Sequence, residues 1–109
     1  MTLKKPAKSK RATPPREFTR TKEFKKDWER LVQSGRYDMK QLKAVMLLLI
    51  ENTAPLGPEW RDHGLSGNWL NYRECHIGGD FLLIYKLDNS DGDQRIIFVR
   101  TGTHAELFE

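Results

Sequence analysis

The chain has 109 residues and a mass of 12.8 kDa, enough for one domain around one modest core. Apolar residues make up 38% and charged residues 31%, the balance of a folded soluble domain rather than a disordered chain. The longest apolar run, Ala44 to Ile50, has seven residues, which excludes a membrane span of about 20, and the single Cys75 excludes an internal disulfide framework and suits a reducing cytoplasm.

The net charge of +4 divides unevenly. Residues 1–16 hold six Lys/Arg and no acid, whereas residues 17–109 hold thirteen Lys/Arg against fifteen Asp/Glu, leaving the body at −2. The expected organisation is therefore a disordered basic tail over 1–16 and a folded domain over 17–109. The start has cations but no apolar segment behind them, so no secretory signal is expected. A detached basic tail suits contact with phosphates, because each neutralised phosphate releases a counterion; a solvated leader without a role fits the same composition.

Pro14-Pro15 discourage helix, and Glu17 to Thr21 alternates as a short strand. Thr21 is positioned to cap a helix with Phe24, Trp28 and Leu31 on one face, ended at Ser34-Gly35. Asp38 caps a second helix to about Thr53, whose stripe of Leu42, Val45, Met46, Leu49 and Ile50 faces the core. A long loop follows from Ala54 to Trp69, and long ordered loops in small domains are often functional. Strands are expected over Asn71–Ile77, Phe81–Leu87 and Gln94–Thr101, with a turn at Gly78-Gly79 and a polar loop from Asp88 to Asp93. Phe81 to Tyr85 is apolar on both faces, which predicts a central strand. Thr103 caps a last helical turn, His104 to Phe108. The order β-α-α-β-β-β plus a terminal turn predicts an α+β domain, an antiparallel meander packed on a helical pair.

The residues able to do chemistry collect after the helical pair. His63 follows Asp62 in the long loop, and His76 shares a strand face with Glu74. Asp80 opens the next strand, and Arg100 ends the third strand just before His104. If the meander pairs in order, these side chains come from neighbouring strand ends and meet. An imidazole titrates near neutrality and moves protons, and an arginine stabilises charge on a phosphorane-like transition state. Three histidines could hold zinc, but no His-x-His or HExxH spacing exists, and Cys75 and His76 point to opposite strand faces. Metal-free acid–base chemistry with no cofactor is the expectation. A serine hydrolase is weaker still, since Ser66 and Ser90 lie in polar loops.

Four motifs carry a more specific signal: Arg61-Asp62-His63-Gly64-Leu65-Ser66-Gly67-Asn68-Trp69, Tyr72-Arg73-Glu74-Cys75-His76, Asp80-Phe81-Leu82-Leu83-Ile84-Tyr85-Lys86, and Arg100-Thr101-Gly102-Thr103-His104-Ala105-Glu106-Leu107-Phe108. In this order the chain resembles the YafQ branch of the RelE superfamily of bacterial type II toxins, over roughly residues 17–109. The resemblance implies a RelE-like fold and a metal-independent endoribonuclease that cuts mRNA in the ribosomal A site and is silenced by a cognate antitoxin in the cytoplasm. It also implies that His63, His76, Asp80 and His104 match the acid–base set, Arg100 the phosphate-binding arginine and Phe108 the terminal aromatic. Glu74 stands where the best-known branch has Asp, and Phe81 where it has Trp. Glu keeps the charge on a longer arm, and Phe keeps a stacking face without the indole donor.

RNA carries its own nucleophile, the 2′-OH, so such an enzyme needs a base, a cation and an acid. His104 is expected as the acid and Arg100 as the cation. Either Asp80 or His76 is the base: a free carboxylate near pKa 3.9 is feeble, whereas the resemblance favours Asp80. His63 positions or charges the phosphate, and Phe108 and Phe81 stack on bases. Arg100 paired with a neighbouring acid and Phe108 packed into the core are the alternatives. Lys86 is either an edge-facing cation or an RNA contact. A body of −2 cannot hold naked RNA tightly by charge, which favours the ribosome as partner, with the tail on ribosomal RNA. The rivals are a catalytically inactive binding module acting with an antitoxin at a promoter, and a ribosome-independent RNase.

Overall fold

A computed structural model of the chain describes residues 14–90 and 94–108. Residues 1–13 of the basic tail and 91–93 of the polar loop lie outside the described residues. Strand β1 (Glu17–Arg20) leads into helices α1 (Lys22–Ser34) and α2 (Met39–Glu51). Strands β2 (His63–Gly64), β3 (Arg73–Gly78), β4 (Phe81–Asp88) and β5 (Arg95–Thr103) follow, and helix α3 (His104–Phe108) ends the described chain. The α+β expectation holds.

The caps do what their side chains predict. Thr21 accepts the Phe24 N–H at 3.0 Å and Asp38 accepts the Gln41 N–H at 2.9 Å, satisfying first-turn donors of α1 and α2. Gly35 ends α1 with φ of +69°, a conformation that costs a residue without Cβ little. Asn52 ends α2 the same way, at φ +57°, slightly short of the expected Thr53. Thr103 and Glu106 exchange bonds as a capping box, with Glu106 N–H to Thr103 Oγ1 at 3.3 Å and Thr103 N–H to Glu106 Oε1 at 2.9 Å.

The sheet order is β1-β5-β4-β3-β2, with β1 parallel to β5 and the remaining pairs antiparallel. Phe81–Tyr85 is buried on both faces because β4 is the middle strand. On one face Leu83 and Tyr85 meet Phe24, Leu31, Leu42 and Val45 of the helices; on the other Leu82 and Ile84 meet Leu107, Trp69 and Tyr72. Strand β2 was not expected. Two residues on a sheet edge leave no periodic trace in a sequence.

Arg16 belongs to the body rather than to the tail. Its N–H donates to the Ile50 carbonyl and its Nη1 to the Leu49 carbonyl, each at 2.7 Å, closing the C-terminal end of α2.

The free edge of β5 is closed by a side chain. Strand β1 stops opposite Phe98, so beyond it the donors on that edge of β5 have no strand partner, while the other edge stays paired with β4. Asp27, on the inner face of α1 and 5% exposed, fills that place. It accepts the Thr101 N–H at 3.1 Å, Arg100 Nε and Nη2 at 2.7 and 3.1 Å, and Arg30 Nη2 at 3.0 Å. Arg30 continues to Glu106 at 2.6 Å, so one ionic chain joins α1, β5 and α3. Burial opposes the ionised form of Asp27, but the bonds from Arg100, Thr101 and Arg30 outweigh it and hold the carboxyl below its usual 3.8. Because the folded form is the stronger acid, this contribution is complete above pH 3.8 and is lost as pH falls through the lower folded value. Asp27→Asn is expected to lower urea-unfolding stability by about 3 kcal/mol at pH 7, and the gap from the parent chain should shrink when the titration is repeated in acid below pH 3.8.

Candidate active site

Strand alternation sorts β3 into two sets. Cys75 and Ile77 enter the helix-side core, and Glu74 and His76 face the other way. The register then builds a row across the sheet: His63 pairs with Glu74, Glu74 with Ile84, and Ile84 with Arg100. Arg100 reaches this row through a bulge at Val99, where the β4–β5 pairing passes from Ile84–Arg100 to Tyr85–Phe98.

Glu74 lies at the centre of the site and is only 4% exposed. Its Oε2 is 3.4 Å from His63 Nε2, 3.4 Å from His76 Nε2 and 4.0 Å from His104 Nε2. The imidazoles stand side by side, with ring centroids 6.1 Å apart for His63 and His76 and 6.2 Å for His76 and His104. A buried carboxylate thus faces three imidazole nitrogens within 4.0 Å.

The outer nitrogens are anchored as well. His63 Nδ1 lies 2.7 Å from the Arg61 carbonyl. That oxygen only accepts, so Nδ1 carries the proton in this contact. Asp80 meets His104 twice, at Nδ1 and at the backbone N–H at 3.3 Å, and the side-chain bond holds the Asp80 carboxyl below the usual carboxylate range. Asp80 can stand there because Gly79 takes φ +55° in the turn before β4.

Two aromatic expectations part company. Phe108 is 38% exposed, 5.8 Å from the His104 ring and edge-on to Trp69 at 5.5 Å. More than a third of it is open to solvent beside the histidines. Phe81 is corrected: it is 5% exposed in the helix-side core, 5.1 Å from Tyr37, and has no face left for stacking on RNA. The physical reason is parity, since Phe81 shares the face of Leu83 and Tyr85.

Arg100 is also placed differently from the expected open cation. Asp27 takes its Nε and Nη2, and that pairing holds the guanidinium above its ordinary pKa. It shares the sheet face of Glu74 but stands two strands away, about 10 Å, with Ile84 between. Its Nη1 makes no hydrogen bond to another described residue. The Asp62 carboxylate makes its bonds elsewhere than to its neighbour His63: it binds Arg73 Nε at 3.1 Å and accepts the Tyr85 hydroxyl at 2.7 Å. Lys86 lies over the Tyr72 ring at 5.4 Å.

A cleft of about 330 Å³ opens beside His76, between Trp60-Arg61 and Gly78-Gly79. A larger one of about 590 Å³, around Arg16, Asp62, Arg73 and Tyr85, borders none of the histidines. Three donor atoms within 4.8 Å of one another, from His63, Glu74 and His76, could hold a metal ion. Sequence spacing could not reveal this, because the two histidines come from different strands. Two contributors were missed: Trp69, which supports Phe108, and Asp27, which holds Arg100. Asp27 left a signal, an acid between Phe24 and Leu31 on the apolar face of α1.

The family described as bacterial toxin of type II toxin-antitoxin system, YafQ, matches residues 16–109. An mRNA interferase toxin YafQ from Escherichia coli strain K12 is 48% identical over 79 residues, 72% of this chain and 82% of that relative. The crystal structure of the E. coli DinJ–YafQ complex gives a TM-score of 0.74 at 44% identity, covering 86% of this chain and 99% of that one. The crystal structure of a metal-bound toxin from Helicobacter pylori gives 0.73 at 37% identity, covering 84% and 98%.

Leu107 is the apolar anchor of α3 and fixes both His104 and Phe108 over the sheet. Leu107→Ala is expected to cost about 2–3 kcal/mol in urea unfolding and to lower RNA cleavage although no ionisable group is touched. A single-turnover assay on the folded variant checks this.

Proposed function

Because the chain belongs to the YafQ family of bacterial type II toxins, we propose that it cleaves mRNA on the ribosome by acid–base attack of the ribose 2′-OH and is silenced by a cognate antitoxin. As a member of that family it is a toxin of a toxin-antitoxin system and an mRNA endoribonuclease. The observation that carries the mechanism is the gathering of three imidazoles around the Glu74 carboxylate.

In the proposed reaction His76 removes the 2′-OH proton, the freed 2′-oxygen attacks the adjacent phosphorus, and the bond from phosphorus to the 5′-oxygen breaks. His104 gives a proton to the departing oxygen, leaving a 2′,3′-cyclic phosphate and a 5′-hydroxyl. The choice of His76 over Asp80 as base rests on charge. Asp80, held below the ordinary carboxylate range by His104, is a weaker base than a free Asp and serves to aim the imidazole. Glu74 offsets positive charge as protons pass between the rings. His63, fixed by the Arg61 carbonyl, borders the phosphate. Arg100 reaches it across Ile84 with the free Nη1, while Asp27 keeps the rest of the guanidinium in place. Phe108 stacks on a base, a contact of about 1–3 kcal/mol.

The ribosome answers a physical need. A domain carrying −2 has little field with which to gather RNA, so substrate delivery falls to a larger partner. Under this reading residues 1–15 form the tail that adds contacts to ribosomal RNA, and the site of action is the cytoplasm; among the described residues no helix is long and apolar enough to cross a membrane.

His104→Ala is expected to lower ribosome-dependent cleavage by about 10²–10⁴-fold, mapped as cut sites in a translation extract; undiminished cleavage refutes the assignment, and equal cleavage of naked RNA refutes ribosome dependence. Removing residues 1–15, which spares the Arg16 anchor, is expected to weaken ribosome binding and flatten its salt dependence; unchanged binding leaves the tail without that role.

A further inference from the structure

The cleft of about 330 Å³ beside His76 borders neither His104 nor Phe108. Its volume lies at the small end of the range of ligand pockets, about 300–1,000 Å³. Three stretches of chain wall it: Gln41 of α2, Glu59-Trp60-Arg61 of the long loop, and His76 with Gly78 at the end of β3. Trp60 packs against the helix-side core, which holds it at the cleft wall. The Gln41 amide, the Glu59 carboxylate, the Trp60 indole N–H and the Arg61 guanidinium make no hydrogen bond or ion pair with another described residue. Arg61 takes φ +50°, a conformation uncommon outside glycine; its carbonyl meets His63 Nδ1 while its side chain lines the cleft. At Gly78 an added Cβ would meet nothing within 4 Å, so the cleft is open there.

The direction of the RNA strand follows from the two proton transfers. The 2′-OH belongs to the nucleotide on the 5′ side of the broken bond, and the departing oxygen to the nucleotide on its 3′ side. In-line displacement sets these two oxygens on opposite sides of phosphorus. With His76 at the 2′-OH and His104 at the departing oxygen, their ring centroids 6.2 Å apart, the 5′-side ribose lies by His76 and the 3′-side ribose by His104. The 3′-side base then meets Phe108, 5.8 Å from His104, and the 5′-side base meets the cleft.

Resting on the nuclease reading, we propose that this cleft receives the base of the nucleotide that supplies the 2′-OH, and that it favours bases with an exocyclic amino group (adenine, guanine, cytosine) over uracil. Trp60 supplies aromatic surface on which any base can stack, which gives affinity without choice. The choice comes from Gln41 and Glu59, whose amide and carboxylate oxygens accept N–H bonds from base amino groups. Uracil presents a carbonyl oxygen where cytosine carries its amino group, and acceptor facing acceptor forfeits the bond. Arg61, on the same wall, supplies the cation that a phosphate at the cleft mouth requires.

The test uses programmed ribosomes carrying a short message with one mapped cut, remade with each of the four nucleotides on the 5′ side of that cut and, separately, on its 3′ side. For the full-length, antitoxin-free protein, uracil on the 5′ side is expected to lower kcat/KM about tenfold against the best base, the size of one base-edge contact. Gln41→Ala/Glu59→Ala, at two exposed positions, is expected to shrink that ratio several-fold and to leave the 3′-side ranking as it was. Gly78→Phe, which fills the opening at the end of β3, is expected to erase the 5′-side ranking, with urea unfolding showing that each variant is folded; should Gly78→Phe fail to fold, the double variant decides. A wild-type ratio near one, a 5′-side ranking unaltered in the double variant, or a change confined to the 3′ side overturns the cleft as the base site while the nuclease stands. Wild-type protein that cuts no message strikes the nuclease reading and this assignment with it.

Discussion

A carboxylate kept from water among three imidazoles is the constraint around which this molecule is organised. Glu74 can be buried only where cations or donors face it, and β2, β3 and α3 each bring one histidine to it. Every other feature of that face serves the meeting. Leu82 and Ile84 make an apolar floor that lowers the local dielectric, Leu107 pins α3 to it, and Trp69 backs the aromatic at its end.

The same logic operates at the opposite end of the row. Where β1 stops, Asp27 replaces a strand partner with a carboxylate and thereby fixes Arg100, Arg30 and, through Glu106, the start of α3. Stability and the proposed chemistry therefore share one ionic chain. The helix that closes the sheet edge also sets where the cation and the His104 imidazole stand. An acid in the apolar stripe of α1 looks like a blemish in the periodicity, yet it is the link between the helical layer and the reactive face.

Much of this was legible beforehand. Caps at Thr21, Asp38 and Thr103, the breaks at Gly35 and Gly79, and the doubly apolar run of β4 are local chemistry, decided within a few residues. The meeting of His76, Asp80 and His104 was also readable, because meander order and side-chain parity bring neighbouring strand ends together. Phe81 was misjudged: motif position suggested a stacking face, but parity with Leu83 and Tyr85 carries the ring into the core. The convergence of donor atoms on Glu74 was out of reach, because it depends on β2, a two-residue edge strand with no pattern of its own.

The sequence by itself determined the helices, the longer strands, their order, the central strand and the cast of titratable residues, since these follow from periodicity, capping and alternation along a short stretch of chain. Only the tertiary structure decided which partner each charge took: Asp62 with Arg73 and Tyr85, Arg100 with Asp27, and Glu74 among the histidines. The reason is distance in the chain. Apart from Glu74 and His76 on one strand, those pairings join residues 11 to 73 positions apart, and their choice is set by strand register, a bulge and the point where β1 ends, none of which a local pattern encodes.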